Sequence, residues 1–352
     1  MRNLGGRMDA RLRQLGVAAL VWISICGAAA PQTENPPPFE PYIHPQTIVR
    51  LPDGRRFNMV CMGDGAPTAI LLGGLDDWTL DWRWPQQKLS KITRTCSVDR
   101  AGLGFSDPGP MPRDAAATAS DLYQALKSSH MQGPFILVGH SLGGLELRLF
   151  AYEHPQMVSG LLLIDPGIEH TTDRMGTPKA VRDKQLAFNR ACLAKARAGQ
   201  IVAGEIAPGE TDPCVDAFPP QWPAEQKQLL LQISAQPSRF ETWISQSDNA
   251  DGRSSDEVET ARRKLGSIPL IILSRGGEDR FSAARSDDDQ ARLYAVWTGA
   301  HEDEARDSTR GEHRIVEGSG HWIYAARPDA VVRAFQEVVD AARASGNRPA
   351  SD

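Results

Sequence analysis

Residues 135–144 read F-I-L-V-G-H-S-L-G-G, and this stretch decides the fold. An apolar run of strand formers leads straight into G-x-S-x-G, and residues 145–152 continue with a helical pattern. Strand, sharp turn and helix are the context in which that motif presents a nucleophile. A serine on a strained strand-to-helix turn has neighbours packed too close for a Cβ, which is why Gly139 and Gly143 flank Ser141. The turn amides and the helix dipole at that position suit a developing oxyanion.

Working outward, strand-like and helix-like stretches alternate. Residues 47–51 and 56–62 form an expected hairpin across Asp53-Gly54, and 68–72 is a buried strand closed by Gly73-Gly74. A strand at 94–99 ends in D-R-A-G-L-G-F-S-D, a helix spans 115–129, and a strand at 160–164 ends at Asp165-Pro166. Such alternation implies a mostly parallel sheet covered on both faces. Between 167 and 266 the pattern changes to helix-like stretches with no strand signal, as expected of a helical cap inserted over one edge of the sheet. The sheet resumes at 268–274, a last strand at 314–317 leads to G-S-G-H-W, and a helix at 329–342 closes the domain. The α/β core is thus expected over 46–166 and 267–345.

The N-terminal 30 residues stand apart. Arg2, Arg7, Arg11 and Arg13 precede an apolar stretch from Val17 to Cys26 and then three alanines, the pattern of a signal peptide; at 31–45 six prolines suggest an extended linker. The expected location is therefore periplasmic or secreted, with no stable membrane span after signal cleavage. Four arginines and one aspartate leave with the signal, so the net charge goes from −5 to −8, and with no basic patch nucleic acid is an unlikely partner class. The 41% hydrophobic and 24% charged content is that of an ordinary globular protein. Cys61, Cys96, Cys192 and Cys214 remain, an even number that permits two disulfides in an oxidising compartment.

In order, L-L-G-G-L, D-R-A-G-L-G-F-S-D, L-V-G-H-S-L-G-G, L-L-I-D-P, G-G-E-D-R-F and G-S-G-H-W resemble the α/β-hydrolase fold family, and in detail its secreted bacterial serine esterases. The resemblance implies an eight-stranded, mostly parallel, doubly wound sheet with a helical cap. It implies a Ser141 nucleophile, an Asp279 acid and a His321 base, in the chain order this fold uses. It also implies an oxyanion hole from the amide of Leu142 and one from the loop after Leu72, on Leu75 or its neighbour Gly74. The family's strand order implies a Cys61–Cys96 bond, and a Cys192–Cys214 bond is expected to staple a 22-residue separation inside the cap.

The chemistry asks for the same residue types, because a serine hydroxyl needs a neutral imidazole to take its proton and the imidazole needs a carboxylate to fix its tautomer. His321 follows a glycine-rich turn after a strand; His140, beside the serine, is expected to point away, and His301 and His313 to lie at the surface. Asp279 is favoured as the acid, on the turn after I-P-L-I-I-L-S, with Glu278, Asp165, Asp303 and Asp307 as alternatives. Asp99, Arg100 and Ser106 are expected to hold their turn, and Asp76, Asp77, Trp78 and Trp82 to line the pocket or pack its rim. The expected activity is cofactor-independent ester hydrolysis on a small molecule through an acyl-enzyme, with no metal motif in the sequence. An amidase, peptidase or lipase on the same residues is the alternative, and a binding protein without catalysis the remaining class.

Overall fold

The computed structural model describes residues 40–346 apart from 178, 203–204, 208–209, 216–221, 278, 280, 282–283 and 285. The expected signal peptide and most of the linker lie outside the described residues. Of the linker, Tyr42 and Ile43 are buried against the domain, and the Tyr42 hydroxyl donates to Gln86 Oε1 at 3.0 Å. At these two positions the chain packs instead of extending into solvent, because an aromatic followed by an isoleucine gains more from burial.

The described residues include ten strands: β1 (Thr47–Arg50), β2 (Arg56–Met62), β3 (Ala69–Leu72), β4 (Thr95–Val98), β5 (Phe135–His140), β6 (Val158–Ile164), β7 (Glu205–Ala207), β8 (Glu210–Thr211), β9 (Leu270–Arg275) and β10 (Gly311–Val316). Eight of them form one sheet in the order β1-β2-β4-β3-β5-β6-β9-β10. Pairing is parallel throughout except at β1–β2 and β2–β4. This is the expected mostly parallel, doubly wound α/β-hydrolase sheet.

The helices are α1 (Arg83–Leu89), α2 (Ala115–Ser128), α3 (Leu142–Glu153), α4 (Thr171–Met175), α5 (Lys179–Arg197), α6 (Ala224–Ser234), α7 (Pro237–Asn249), α8 (Arg253–Ala261), α9 (Asp287–Ala305), α10 (Ile323–Ala326) and α11 (Pro328–Gly346). Strand residues alternate between two apolar layers. Ile70, Leu72, Leu137, Leu161, Leu163 and Ile272 join one layer with α2 and α3; Ala69, Leu71, Ile136, Val138, Leu162 and Leu273 join the other with α11. In α11 the buried Val331, Phe335, Val338 and Ala342 recur at helical spacing, which fixes its face against the sheet. Continuous burial of β5 on both faces holds the strand that carries the serine turn.

The insertion differs from expectation in two ways. It contains the short antiparallel ribbon β7–β8, and α8 packs with α2 and α3, its Val258 lying in the core layer of the sheet. Helix α8, within the 167–266 stretch expected as a cap, thus packs with the core layer. Helix α7 rests on the loops after β3 and β4: Thr242 Oγ1 donates to the Ala101 carbonyl at 3.0 Å, and Arg239 reaches Asp76.

Both expected disulfides are present. Cys61 and Cys96 face each other across β2 and β4 with Cα atoms 4.0 Å apart, and Cys192 on α5 bonds Cys214, 5.4 Å away, beside Phe240 of α7. The second bond closes a loop of 22 residues, and on the chain-entropy account its loss costs about 3 kcal/mol. The Cys192→Ala/Cys214→Ala protein is expected to lose that much in urea unfolding, with cap residues becoming protease-sensitive first. Unchanged stability would mean that the helices hold the cap without the bond.

Candidate active site

Ser141 sits between β5 and α3 at φ +52° and ψ −125°, a conformation rarely adopted by a residue with a side chain. The crowding that maintains it is explicit: a Cβ on Gly139 would meet the Gly144 Cα at 2.7 Å, one on Gly143 the Gly73 carbonyl oxygen at 2.3 Å, and one on Gly144 the Pro166 Cβ at 2.5 Å. The glycines let the loops after β3 and β6 close on the start of α3.

The His321 ring stands over this turn. Its Nε2 is 3.0 Å from Ser141 Oγ, and its Nδ1 is 2.5 Å from Asp165 Oδ2. Asp165, at the end of β6 with φ +43°, is fully buried, and it also accepts from the Arg275 main-chain N–H (3.1 Å), Arg275 Nε (2.7 Å) and Trp297 Nε1 (2.8 Å). Burial alone would raise the carboxyl, but the His321 hydrogen bond and the Arg275 charge outweigh it and hold Asp165 well below the usual carboxylate range. For His321, burial is the largest influence and lowers it below the ordinary histidine value despite Asp165, with His140 and Arg275 acting in the same direction.

The carboxylate expected to meet the imidazole, Asp279, does not do so: the structure brings Asp165 to the His321 ring instead. Asp279 Oδ2 accepts from the His321 main-chain N–H at 2.5 Å, so it shapes the loop and does not address the ring. The physical reason is at the end of β9: the position facing the imidazole carries Arg275, a cation that needs a carboxylate partner and finds it on β6. Glu278 lies outside the described residues. Asp303 and Asp307 are remote, pairing with Arg262, with Asp307 also accepting from Tyr152.

Other histidine expectations change as well. His140 does not point away; its ring is buried 4.6 Å from that of His321, its Nε2 donates to the His321 carbonyl at 3.2 Å, and Nδ1 lies 3.4 Å from Asp77 Oδ2. His301 is fully buried and not at the surface, with Nε2 donating to the Pro166 carbonyl (2.9 Å) and Nδ1 accepting from Ser274 Oγ (2.5 Å). Half-buried His313 donates from Nε2 to the same hydroxyl at 2.7 Å.

Around the expected oxyanion loop, Gly74 N–H already donates to Asp77 Oδ2 at 2.6 Å, which removes Gly74 as a free donor. The Leu75 and Leu142 amides make no hydrogen bond among the described residues. A Cβ on Gly74 would lie 3.1 Å from Ser141 Cβ, so this loop passes directly beside the serine. Arg100 fixes it from behind, donating to the carbonyls of Gly73 (2.5 Å) and Gly74 (2.9 Å) while pairing with buried Glu146 at 2.6 Å. Asp99 accepts from Thr79 N, Asn58 Nδ2 and Phe105 N, and Ser106 Oγ donates to the Asp99 carbonyl, so this turn is structural as expected. Asp76, expected at the pocket, is committed to Arg239 of α7 through two nitrogens, and Trp78 packs edge-on against Phe105. Trp82 is buried against Tyr324. Among the described residues no group of three His, Cys, Asp or Glu side chains is arranged to hold a metal.

With this geometry in place, the comparisons with known proteins are decisive for the family. A family profile described as the alpha/beta hydrolase family matches residues 65–334. The chain belongs to that family. Epoxide hydrolase 4 of Homo sapiens is 30% identical over 145 residues, 38% of this chain and 39% of that protein. An uncharacterized vacuolar membrane protein of Saccharomyces cerevisiae is 38% identical over 96 residues, 26% of this chain and 15% of the other. The chain thus spans under two fifths of the length of these curated relatives. Among solved structures, a putative acyltransferase from Salmonella enterica has a TM-score of 0.60 at 19% identity, covering 84% of this chain and 95% of that one. An esterase from Exiguobacterium antarcticum has a TM-score of 0.54 at 17% identity, covering 84% and 99%. These likenesses are of fold. Among the described residues no helix is long and apolar enough to cross a membrane.

The steric account of the turn gives a paired expectation. Gly143→Ala forces a Cβ onto the Gly73 carbonyl and is expected to cost about 3 kcal/mol in denaturant unfolding. Gly299→Ala, in the exposed middle of α9 with nothing within 4 Å, is expected to stabilise by about 0.5–1 kcal/mol. Equal effects of the two would contradict the crowding argument.

Proposed function

We propose that the protein is an exported serine hydrolase that cleaves carboxylic esters through an acyl-enzyme. The observation that carries this reading is the series Ser141 Oγ, His321 Nε2, His321 Nδ1, Asp165 Oδ2, with steps of 3.0 and 2.5 Å on either side of one imidazole. Ser141 Oγ attacks the ester carbonyl carbon as its proton passes to His321 Nε2. Asp165 keeps the other proton on Nδ1 and stabilises the imidazolium, which then protonates the departing alkoxide. Water, deprotonated by the same imidazole, releases the acid. The free amides of Leu142, at the N-terminus of α3, and Leu75, in the loop after β3, are the donors for the tetrahedral oxyanion. No bound cofactor or metal is called for. Epoxide hydrolases of the family use a carboxylate nucleophile; here the turn carries Ser141, which favours the ester reading. The arginine-rich N-terminus and the two disulfides support an oxidising compartment.

Ser141→Ala is expected to lower ester turnover on the order of 10⁴-fold or more, and Asp165→Asn by a factor on the order of 10³ to 10⁴. Asp279→Asn is expected to cost much less, since its carboxylate faces a main-chain amide. A crippling Asp279→Asn with a mild Asp165→Asn in p-nitrophenyl ester assays would reverse the assignment of the acid.

His321 must be neutral to accept the serine proton, and it lies below its ordinary value of 6.5. As pH falls through the folded-state value the ring gains a second proton and activity is lost. The acid limb of kcat/KM is thus expected to have its midpoint below 6.5, with a plateau at neutral pH. A midpoint above 6.5 would contradict the electrostatic reading of the site.

A further inference from the structure

Arg275 has no place in the hydrolytic scheme, yet it is the most tightly built side chain around it. Its guanidinium lies 4.9 Å from the Phe281 ring centroid and 5.1 Å from that of Trp297, and its main-chain carbonyl accepts from Tyr294. Nε and Nη2 reach the same Asp165 oxygen that faces His321, at 2.7 and 2.6 Å, and Nη2 is also 2.8 Å from His321 Nδ1. A cation, an anion and an imidazole nitrogen therefore share one buried corner. Resting on the serine-hydrolase reading, we propose that Arg275 is a positioning residue that keeps the His321 imidazole neutral, the form able to accept the Ser141 proton.

The argument follows from donors and acceptors. A guanidinium has only N–H donors. If His321 carried its single proton on Nε2, Arg275 would donate to the bare Nδ1, but Asp165 Oδ2 at 2.5 Å would then face a lone pair. Asp165 therefore selects the Nδ1–H tautomer, and in that tautomer Arg275 meets an N–H that offers it no acceptor. Its charge acts against the ring in two ways: it repels a second proton directly, and it takes up part of the Asp165 charge that would otherwise favour the imidazolium. The remaining groups around the ring are His140 with Asp77 behind it on the β5 and β3 side, and Asp279 at the main chain; Tyr324 of α10 contacts His140. Among the described residues, Arg275 is the one side chain of permanent positive charge in contact with both Asp165 and His321.

The test is the pH dependence of ester hydrolysis in Arg275→Met and Arg275→Lys, alongside NMR titration of the His321 ring in each protein. In Arg275→Met the acid limb of kcat/KM and the NMR midpoint of His321 are both expected to rise by about one unit. Arg275→Lys, which keeps the charge, is expected to stay near the wild-type midpoint even where its turnover falls. Should Arg275→Met not fold, Arg275→Gln carries the same criterion, with amide donors for Asp165 and no charge. Lower turnover with an unmoved His321 midpoint in the uncharged variant would overturn the proposal and leave Arg275 a structural residue. A wild-type protein that hydrolyses no ester would instead sink the serine-hydrolase reading, and the NMR titration would still decide the role of Arg275.

Discussion

Three backbone segments meet at Ser141 with no room for side chains: the Gly73 carbonyl against Gly143, Pro166 against Gly144, and Gly139 against the first turn of α3. Because they touch, the ends of β3, β5 and β6 are brought to one point, and everything chemical follows from that meeting. The loop after β3 passes beside the serine at Gly74, the turn runs into α3 at Leu142, and the end of β6 brings Asp165 to the His321 ring. A fully buried β5 flanked by two parallel neighbours makes the strain at φ +52° tolerable, since the surrounding layers over-determine the turn.

Charge is distributed around this point in buried pairs whose second partner is always committed. Arg100 with Glu146 holds the Gly73 and Gly74 carbonyls, Arg239 with Asp76 ties the same loop to α7, and Arg275 with Asp165 backs the imidazole. Buried pairs of this kind add little net stability, but removal of one member strands the other, so they fix geometry. Each arginine comes from a different direction, which leaves the loop after β3 with little freedom to retract its amides.

Much of this was legible in the sequence. The β5 turn, the succession of strands along the chain and the turn before His321 follow from apolar runs ending in glycine-rich turns, because burial on both faces and close backbone approach leave a strong local signature, whereas the order of strands in the sheet came from the family resemblance. The carboxylate that meets the His321 ring does not, for a long-range reason. Asp279 and Asp165 both follow a strand of the right kind, and only the guanidinium of Arg275 decides between them. His140 was misplaced because the ring of a residue next to a strained turn does not follow strand alternation. Helix α9 was missed although its start is marked: Ser286 Oγ accepts from Asp289 N–H, and three aspartates fill the first turn, favourable at a helix N-terminus. That helix supplies Trp297 to Asp165 and His301 to Pro166, contacts with no trace in local sequence. The packing of α8 with the core was missed because this polar helix shows the core only one short apolar face, around Val258.

The central claim is that Ser141 is the activated nucleophile of this site. Its most direct measurement is covalent labelling of the intact protein with a fluorophosphonate, located by peptide mass spectrometry and followed against pH. One equivalent of label on Ser141, at a rate that falls as His321 is protonated, is the expected result. Label on another residue, or ester hydrolysis that continues with Ser141 unlabelled, would contradict it.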